Sequence, residues 1–414
     1  MKRVVILCVW LFSVVAGHAQ LSLDECRRLA RENYPEIRQY DLVHQTEQYN
    51  LSNAARAWIP QIAFSAQATW QTDAPNFPKE LTGMLAQQGL EIPGLRKDQY
   101  KVALELNQTI WDGGKSVADK RIARAEAAEQ KTMTDVDLYE LEGRVDDLYF
   151  GILLLDERIA QTNLTLNLLR SNLEKVRALQ RNGVAMQSDA DVLEAELLSV
   201  GQQLIQFESS CDSYRRMLGI FIGQKVGDRK LQRPSAVQPL SGESARPELA
   251  MFAAKIDRLT AQEKMVKSSS MPRLGFFAQG YYGYPGLDYM QSMMNSDWSW
   301  NAMLGVKLSW NFGAYYTQKN NLNKLRISRQ QVEVQRDVFL FNMNLQAAQE
   351  NGDIARLRKA IADDDRIVAL RRSVREAAES KLRNGIIDTH DLLSKITDES
   401  TASMARSMRE IELL

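Results

Sequence analysis

Few side chains in this sequence have the type and spacing that catalysis or metal binding requires. Past residue 20, only His44 and His390 can supply an imidazole, too few for a histidine metal site. No GxxxxGK[ST], GxSxG or HExxH pattern occurs, so no phosphate cradle, activated serine or zinc-binding helix is encoded. Asp363-Asp364-Asp365 falls in the middle of a helical stretch, where three acids read as a solvated face rather than a cation site. Trp298, Trp300 and Trp310 could form a sugar platform, but indoles bracketing an apolar strand face fit a membrane girdle better. Cys26 and Cys211 read as two buried thiols, with a disulfide as the alternative. The inventory points to no enzyme, no cofactor and no metal.

The 414 residues carry 52 Lys plus Arg and 52 Asp plus Glu. Zero net charge argues against nucleic acid as a partner, because phosphate binding needs a basic excess. Met1-Lys2-Arg3, an apolar run from Val4 to Val15, and Gly17-His18-Ala19 before Gln20 read as a secretory signal peptide over 1–19. Cys8 leaves with it, and no cysteine follows the cleavage point to take a lipid anchor. No later run is long and apolar enough for a spanning helix.

The elements that position any functional residue come from a duplication. Tyr34-Pro35-Glu36-Ile37 recurs as Arg246-Pro247-Glu248-Leu249, and Trp58-Ile59-Pro60-Gln61-Ile62 as Ser270-Met271-Pro272-Arg273-Leu274. Trp111-Asp112-Gly113-Gly114 faces Asn311-Phe312-Gly313-Ala314, Arg181-Asn182-Gly183-Val184 faces Arg383-Asn384-Gly385-Ile386, and Asp191-Val192-Leu193 faces Asp391-Leu392-Leu393. Five matches in one order define repeats at 20–233 and 245–414, joined by a linker at 234–244.

Each repeat carries a long helical hairpin, expected at about 114–221 and 314–414. From Leu138 to Val176 apolar residues step by three and four (Leu141, Val145, Leu148, Ile152, Leu155, Ile159, then Leu166, Leu169, Leu173). Only Thr162 interrupts this coiled-coil seam. A weaker version follows in Ile354, Leu357, Ile361 and Val368. Proline is absent between Pro93 and Pro234 and after Pro285, leaving both helices unbroken. Asn182-Gly183 and Asn384-Gly385 stop them, and a returning helix follows each turn. By analogy with the first copy, Leu414 falls just short of the corresponding helix end.

Four strands are expected at about 61–71, 100–110, 273–282 and 298–311. Ile62, Phe64, Ala66, Ala68 and Trp70 alternate with smaller or polar residues. Trp298, Trp300, Ala302, Leu304, Val306, Leu308 and Trp310 do so more clearly. The third strand is aromatic on both faces, and its register is open. Segments 73–99 and 283–297 read as loops. Ten-residue strands with one apolar face and terminal tryptophans suit an outer-membrane barrel. Lipid leaves no sheet edge unpaired, and four strands are too few to close. Several chains must therefore share one barrel, and three would supply twelve strands.

Leu21-Ser22-Leu23-Asp24-Glu25, Leu29-Ala30, Glu32-Asn33, Tyr34-Pro35-Glu36-Ile37, Ala57 to Ile62, Trp111 to Gly114 and the two Gly…Asp-Val/Leu-Leu turns resemble the TolC-type outer-membrane efflux proteins. The fold class so implied is mainly α with a four-stranded β contribution. As a homotrimer it would form a 12-stranded β-barrel and an α-helical barrel. The resemblance implies an outer-membrane location with the helices in the periplasm, and passive export in a tripartite efflux or type I secretion system. It also implies docking on a periplasmic adaptor that is bound in turn to an inner-membrane transporter. A soluble periplasmic coiled-coil scaffold or adaptor is the alternative. On the family's pattern Asn182, Gly183, Asn384 and Gly385 form the adaptor-docking tips, and Asp391 falls on an aspartate that rings the entrance. The second ring carboxylate falls on Ser394. The locking arginine falls on Ile387, leaving Asp191 without its partner. Trp70, Trp298, Trp300 and Trp310 form the expected girdle, while Lys101, Glu105, Asn107 and Lys307 line a polar lumen.

Overall fold

The computed structural model describes residues 20–89, 92–234, 246–384 and 386–414. The expected signal peptide and nearly all of the expected linker lie outside them. In order, the elements are α1 (Leu23–Asn33), a 3-10 turn (Pro35–Arg38), α2 (Gln39–Arg56), β1 (Gln61–Trp70), α3 (Lys79–Gln87), β2 (Asp98–Trp111), α4 (Lys115–Arg181) and α5 (Gln187–Ile222). Then come α6 (Pro247–Ser268), β3 (Arg273–Tyr284), α7 (Tyr289–Met294), β4 (Ser299–Ser309), α8 (Ala314–Arg383) and α9 (Thr389–Glu412). They form two compact units, each drawing on both repeats. One takes residues up to 39, 134–247 and 337–414, and the other takes 40–133 and 248–336.

In the first unit, the Leu21-Ser22-Leu23-Asp24-Glu25 motif is a helix start. The Ser22 hydroxyl accepts from the Glu25 N–H at 3.2 Å, satisfying one of the free donors at the N-terminus of α1. Cys26 and Ala30, one turn apart, are fully buried against Val145, Tyr149, Ile152 and Leu218. Leu21 makes a parallel bridge with Leu231. The buried Tyr149 hydroxyl donates toward the Leu21 carbonyl at 2.8 Å and also reaches that of Gln232. Both cysteines are free and buried, so the disulfide alternative is not realised.

The 67 residues of α4 make a helix about 100 Å long at 1.5 Å per residue. Its seam is inside: Leu138, Leu141, Val145, Leu148, Ile152, Leu155, Leu166, Leu169, Leu173 and Val176 are buried, as is Thr162. In α8 only Leu357 of the four weaker seam positions is buried. The reading of Asp363-Asp364-Asp365 as a solvated face needs correction. Asp364 is buried and pairs with Arg409 of α9, and Asp365 accepts from Arg406 at 2.7 Å. Two arginines on the returning helix thus hold two of the three acids.

In the second unit the strands form one antiparallel sheet in the order β1-β2-β3-β4. The segments between β1 and β2 and between β3 and β4 are not loops throughout, because each contains a short helix. In α7, Asp288 caps the first turn through the Gln291 N–H at 3.0 Å. Ala74, Leu95 and Tyr284 form a small core with Met293 against it, and that packing orders both segments.

Candidate functional site

The cross-strand register sorts every sheet residue onto one of two faces. Ile62–Leu106–Ala278–Leu304, Phe64–Leu104–Gly280–Ala302 and Ala66–Val102–Tyr282–Trp300 are rows on one face. On the other, Ala63–Glu105–Gln279–Met303, Ser65–Ala103–Tyr281–Asn301 and Gln67–Lys101–Gly283–Ser299 lie side by side. The open register of β3 is thereby settled: Leu274, Phe276, Ala278 and Tyr282 join the apolar face, while Phe277, Gln279 and Tyr281 join the polar one.

The apolar face is bare. Phe64 is 73% exposed, Leu304 75% and Trp300 82%, far beyond the scattered apolar exposure of an ordinary surface. Aromatic rings gather at its two ends. At one, Trp298 stacks on Tyr100 with centroids 5.7 Å apart, Tyr282 lies 5.0 Å from Trp300, and Trp70 ends β1. At the other, Trp310 lies 4.7 Å from Phe312 and donates to the Ser270 carbonyl at 3.0 Å. Trp298 and Trp310 stand just outside β4, which ends at Ser309 rather than 311. Tyr100 and Tyr282 join these aromatic groups only through strand pairing, which brings their rings to the tryptophans. Eleven residues in β4 span roughly 35 Å, and a tilt of about 40° reduces that to the height of a bilayer core.

On the polar face, Lys101 Nζ donates to Gln279 Oε1 at 3.1 Å, the Gln279 amide donates to Glu105, and Lys101 lies 4.6 Å above the Tyr281 ring. Gln279 thus joins opposite charges four residues apart on β2. Asn107 and Lys307 lie on the same face.

Both strand-to-helix junctions use a side-chain cap. Asp112 accepts from the Gly114 N–H at 2.9 Å, the Ser116 N–H at 2.7 Å and the Ser116 hydroxyl. Burial alone would raise the Asp112 carboxyl, but these donors outweigh it and hold the pKa below the ordinary carboxylate range. Gly113 has φ +71°, and an added Cβ would sit 2.7 Å from that of Met271, so the turn requires glycine. In the second copy Asn311 does the same work, accepting from the Gly313 N–H at 3.0 Å.

The two helical turns also match in geometry. Val184 N–H bonds to the Leu179 carbonyl at 2.9 Å, and Ile386 N–H to that of Lys381 at 3.0 Å. Each is the six-residue closure of a Schellman turn. Gly183 takes φ +74°, and Asn182 and Asn384 end the helices before it; Gly385 lies outside the described residues. Val184, Met186 and Ile386 are 65–74% exposed, an apolar surface at the turns that no charge or motif advertised.

Beyond the turns, Asp391 is exposed in the first turn of α9, its N–H held by the capping carboxylate of Asp388 at 2.8 Å. Ser394 is exposed on the next turn of the helix. Asp191 is exposed and accepts from Gln187 Nε2, on its own helix, at 2.7 Å. Ile387 packs on the core formed by Leu169, Leu193, Leu392 and Ile396. Nearby, Glu379 accepts from Lys175 of α4 at 3.3 Å and from Arg375, while Arg375 also holds Glu399. Among the described residues no helix is long and apolar enough to cross a membrane, and no group of three His, Cys, Asp or Glu could hold a metal ion.

Residues 27–223 match the model of the family described as Outer membrane efflux protein. No curated protein matches the chain. Among solved structures, the outer-membrane channel OprN is 14% identical with a TM-score of 0.69, over 94% of this chain and 87% of its own. CusC, described by its transmembrane channel formation, is 14% identical with a TM-score of 0.68, over 95% and 91%. The outer membrane protein VceC from Vibrio cholerae is 15% identical with a TM-score of 0.66, over 94% and 93%. At these identities the likeness establishes a common fold.

Proposed function

We propose that this chain, matched to the outer membrane efflux protein family over residues 27–223, is one subunit of a passive outer-membrane efflux channel. A single observation carries the reading: a four-stranded sheet with an exposed apolar face and two free edges, β1 and β4. In water the bare face would aggregate; in lipid the open edges would leave backbone donors and acceptors unpaired. Lipid covers the apolar face, and copies joined edge to edge within it pair the free backbone groups. Three copies give twelve strands, enough to enclose an open lumen. The soluble-scaffold alternative leaves the bare face unexplained.

The helices support assembly by the same logic. Ile327, Val334, Val338, Phe341 and Leu345 of α8 step by seven, four, three and four, and each is more than half exposed. This is a seam in search of a neighbouring helix. Joined in a homotrimer, the hairpins of repeats 20–233 and 245–414 form a helical barrel in the periplasm, after a signal peptide at 1–19 directs export. The turns at Asn182-Gly183 and Asn384-Gly385 are the docking tips for a periplasmic adaptor, which links the channel indirectly to an inner-membrane transporter. Exposed Val184, Met186 and Ile386 supply apolar contact there. Asp391 rings the entrance, with Ser394 and Asp191 beside it, and Trp70, Trp298, Trp300 and Trp310 anchor the barrel at the lipid interfaces. The channel conducts and catalyses nothing.

The test is extraction and reconstitution. The protein is expected in the outer-membrane fraction, as a trimer in mild detergent, and as a conducting pore in planar bilayers. Recovery in the soluble periplasm without detergent, or a monomer under gentle conditions, would overturn the reading.

A further inference from the structure

The polar face of the sheet carries four charged side chains, Lys101, Glu105, Arg273 and Lys307. They are not equivalent. Lys101 and Glu105 are joined through Gln279 and cancel as a unit. Arg273 and Lys307 are exposed and have no ion pair among the described residues. Arg273 pairs with Ser309 and Lys307 with Gly275 in adjoining register, so the two residues occupy diagonal positions about 7–8 Å apart on the sheet. Gly275 places no side chain opposite Lys307.

Both cations line a cleft of about 590 Å³ together with Asn107 and Ser309, while the Gln61 and Gln108 amides there already donate to the carbonyls of Ile59, Trp58 and Thr109. The acids in that cleft are already engaged. Asp119 is neutralised by Lys115 at 2.7 Å, and the Asp112 oxygens are taken by neutral helix-capping donors, which leave its charge in place. Arg273, Lys307 and Lys115 against Asp112 and Asp119 leave the cleft one net positive charge, and Arg273 and Lys307 are the cations free to meet an anionic oxygen group.

We propose that Arg273 and Lys307 form a basic collar on the lumen face that binds the phosphate or carboxylate group of passing cargo and favours anions. This rests on the channel reading, in which the polar face lines the pore and three copies set six cations around one circumference. Clustered like charges in a water-filled conduit with low-dielectric walls raise the local counter-ion concentration. The preference is strongest at low salt and fades as the screening length shortens.

The experiment is a reversal-potential measurement on the reconstituted full chain in a KCl gradient near 0.1 M. Wild type is compared with Arg273→Gln/Lys307→Gln, and Arg273→Lys serves as the charge-conserving control. The chloride-to-potassium permeability ratio is expected to fall about twofold or more in the double variant and to hold in Arg273→Lys. Inorganic pyrophosphate and citrate are the probes: each should reduce the wild-type current and lose that effect in the double variant. Block by pyrophosphate alone would assign the collar to phosphate groups, and block by both to anionic oxygen in general. An unchanged permeability ratio in an assembled double variant overturns the collar while leaving the channel intact. If that variant fails to assemble, Lys307→Gln alone must shift the ratio in the same direction. Absence of any wild-type conductance would instead defeat the channel reading, and the collar with it.

Discussion

Arg27 and Asp146 meet at two points, with Nε 2.7 Å and Nη2 2.5 Å from the two carboxylate oxygens, so α1 is pinned to α4. The hydrogen bond to Asp146 raises the Arg27 guanidinium pKa, outweighing a desolvation effect of opposite sign. Cys26 and Ala30 alongside are sealed in the core, so the pair closes the edge of that core.

Arg27→Ala should destabilise the assembled protein by about 1–2 kcal/mol, since a bidentate pair is worth more than a simple one but this arginine is over a third exposed. Asp146→Ala should cost a similar amount and the double variant no more than either. Apparent melting temperatures in detergent, followed by circular dichroism, test the cycle. Additive losses would mean that the two side chains act separately.

Leu304 and Met303 are adjacent yet lie on opposite faces of β4. In the proposed channel Leu304 faces lipid and Met303 the lumen, so Leu304→Arg should cost about 2–4 kcal/mol whereas Met303→Arg should be accommodated. Outer-membrane yield and trimer content on gels measure the difference. Equal tolerance at both positions would contradict the assignment of faces.

Acid should weaken the link between α4 and α8. Burial would raise the Glu379 carboxyl, but the Arg375 hydrogen bond and the Lys175 charge hold it below its ordinary value of 4.5. The folded chain then binds fewer protons than the unfolded one. The stabilisation is whole above the ordinary glutamate pKa and is lost as pH falls through the lower folded value. Glu379→Gln should therefore flatten the fall in melting temperature between about pH 5 and pH 3. An identical pH profile would remove Glu379 from the acid response.

The two thiols should be silent in the folded protein. Desolvation first, then the charges of Glu25 and Asp146, push the Cys26 thiol up to about 12, and burial raises Cys211. A thiolate-directed reagent at neutral pH should label neither until denaturant is added. Gel mobility should be the same with and without reductant.

In the proposed channel Asp391 rings the entrance, so Asp391→Ala should lower the potassium-to-chloride permeability ratio in planar bilayers, because a carboxylate there attracts cations. An unchanged preference would reduce Asp391 to a charge that favours the N-terminus of α9.

Much of the molecule was legible in its sequence because the signals are periodic and local. Three-four spacing marked the seam of α4, two-residue alternation marked β1 and β4, and asparagine-glycine marked the turn after α4. The count of four strands was legible in the same way, and the sheet has them. Tertiary structure decided what depends on partners distant in the chain. The sequence of β3 is aromatic on both faces, so only pairing with β2 and β4 placed Arg273, Gln279 and Tyr281 on the polar side. Asp364 looks like its two neighbours until Arg409 of the returning helix buries and pairs it. Cys26 and Cys211 could have bridged on composition, yet each packs into the core as a thiol. Local periodicity is written in neighbouring residues; the face of an ambiguous strand and the partner of a buried charge exist only once distant segments meet.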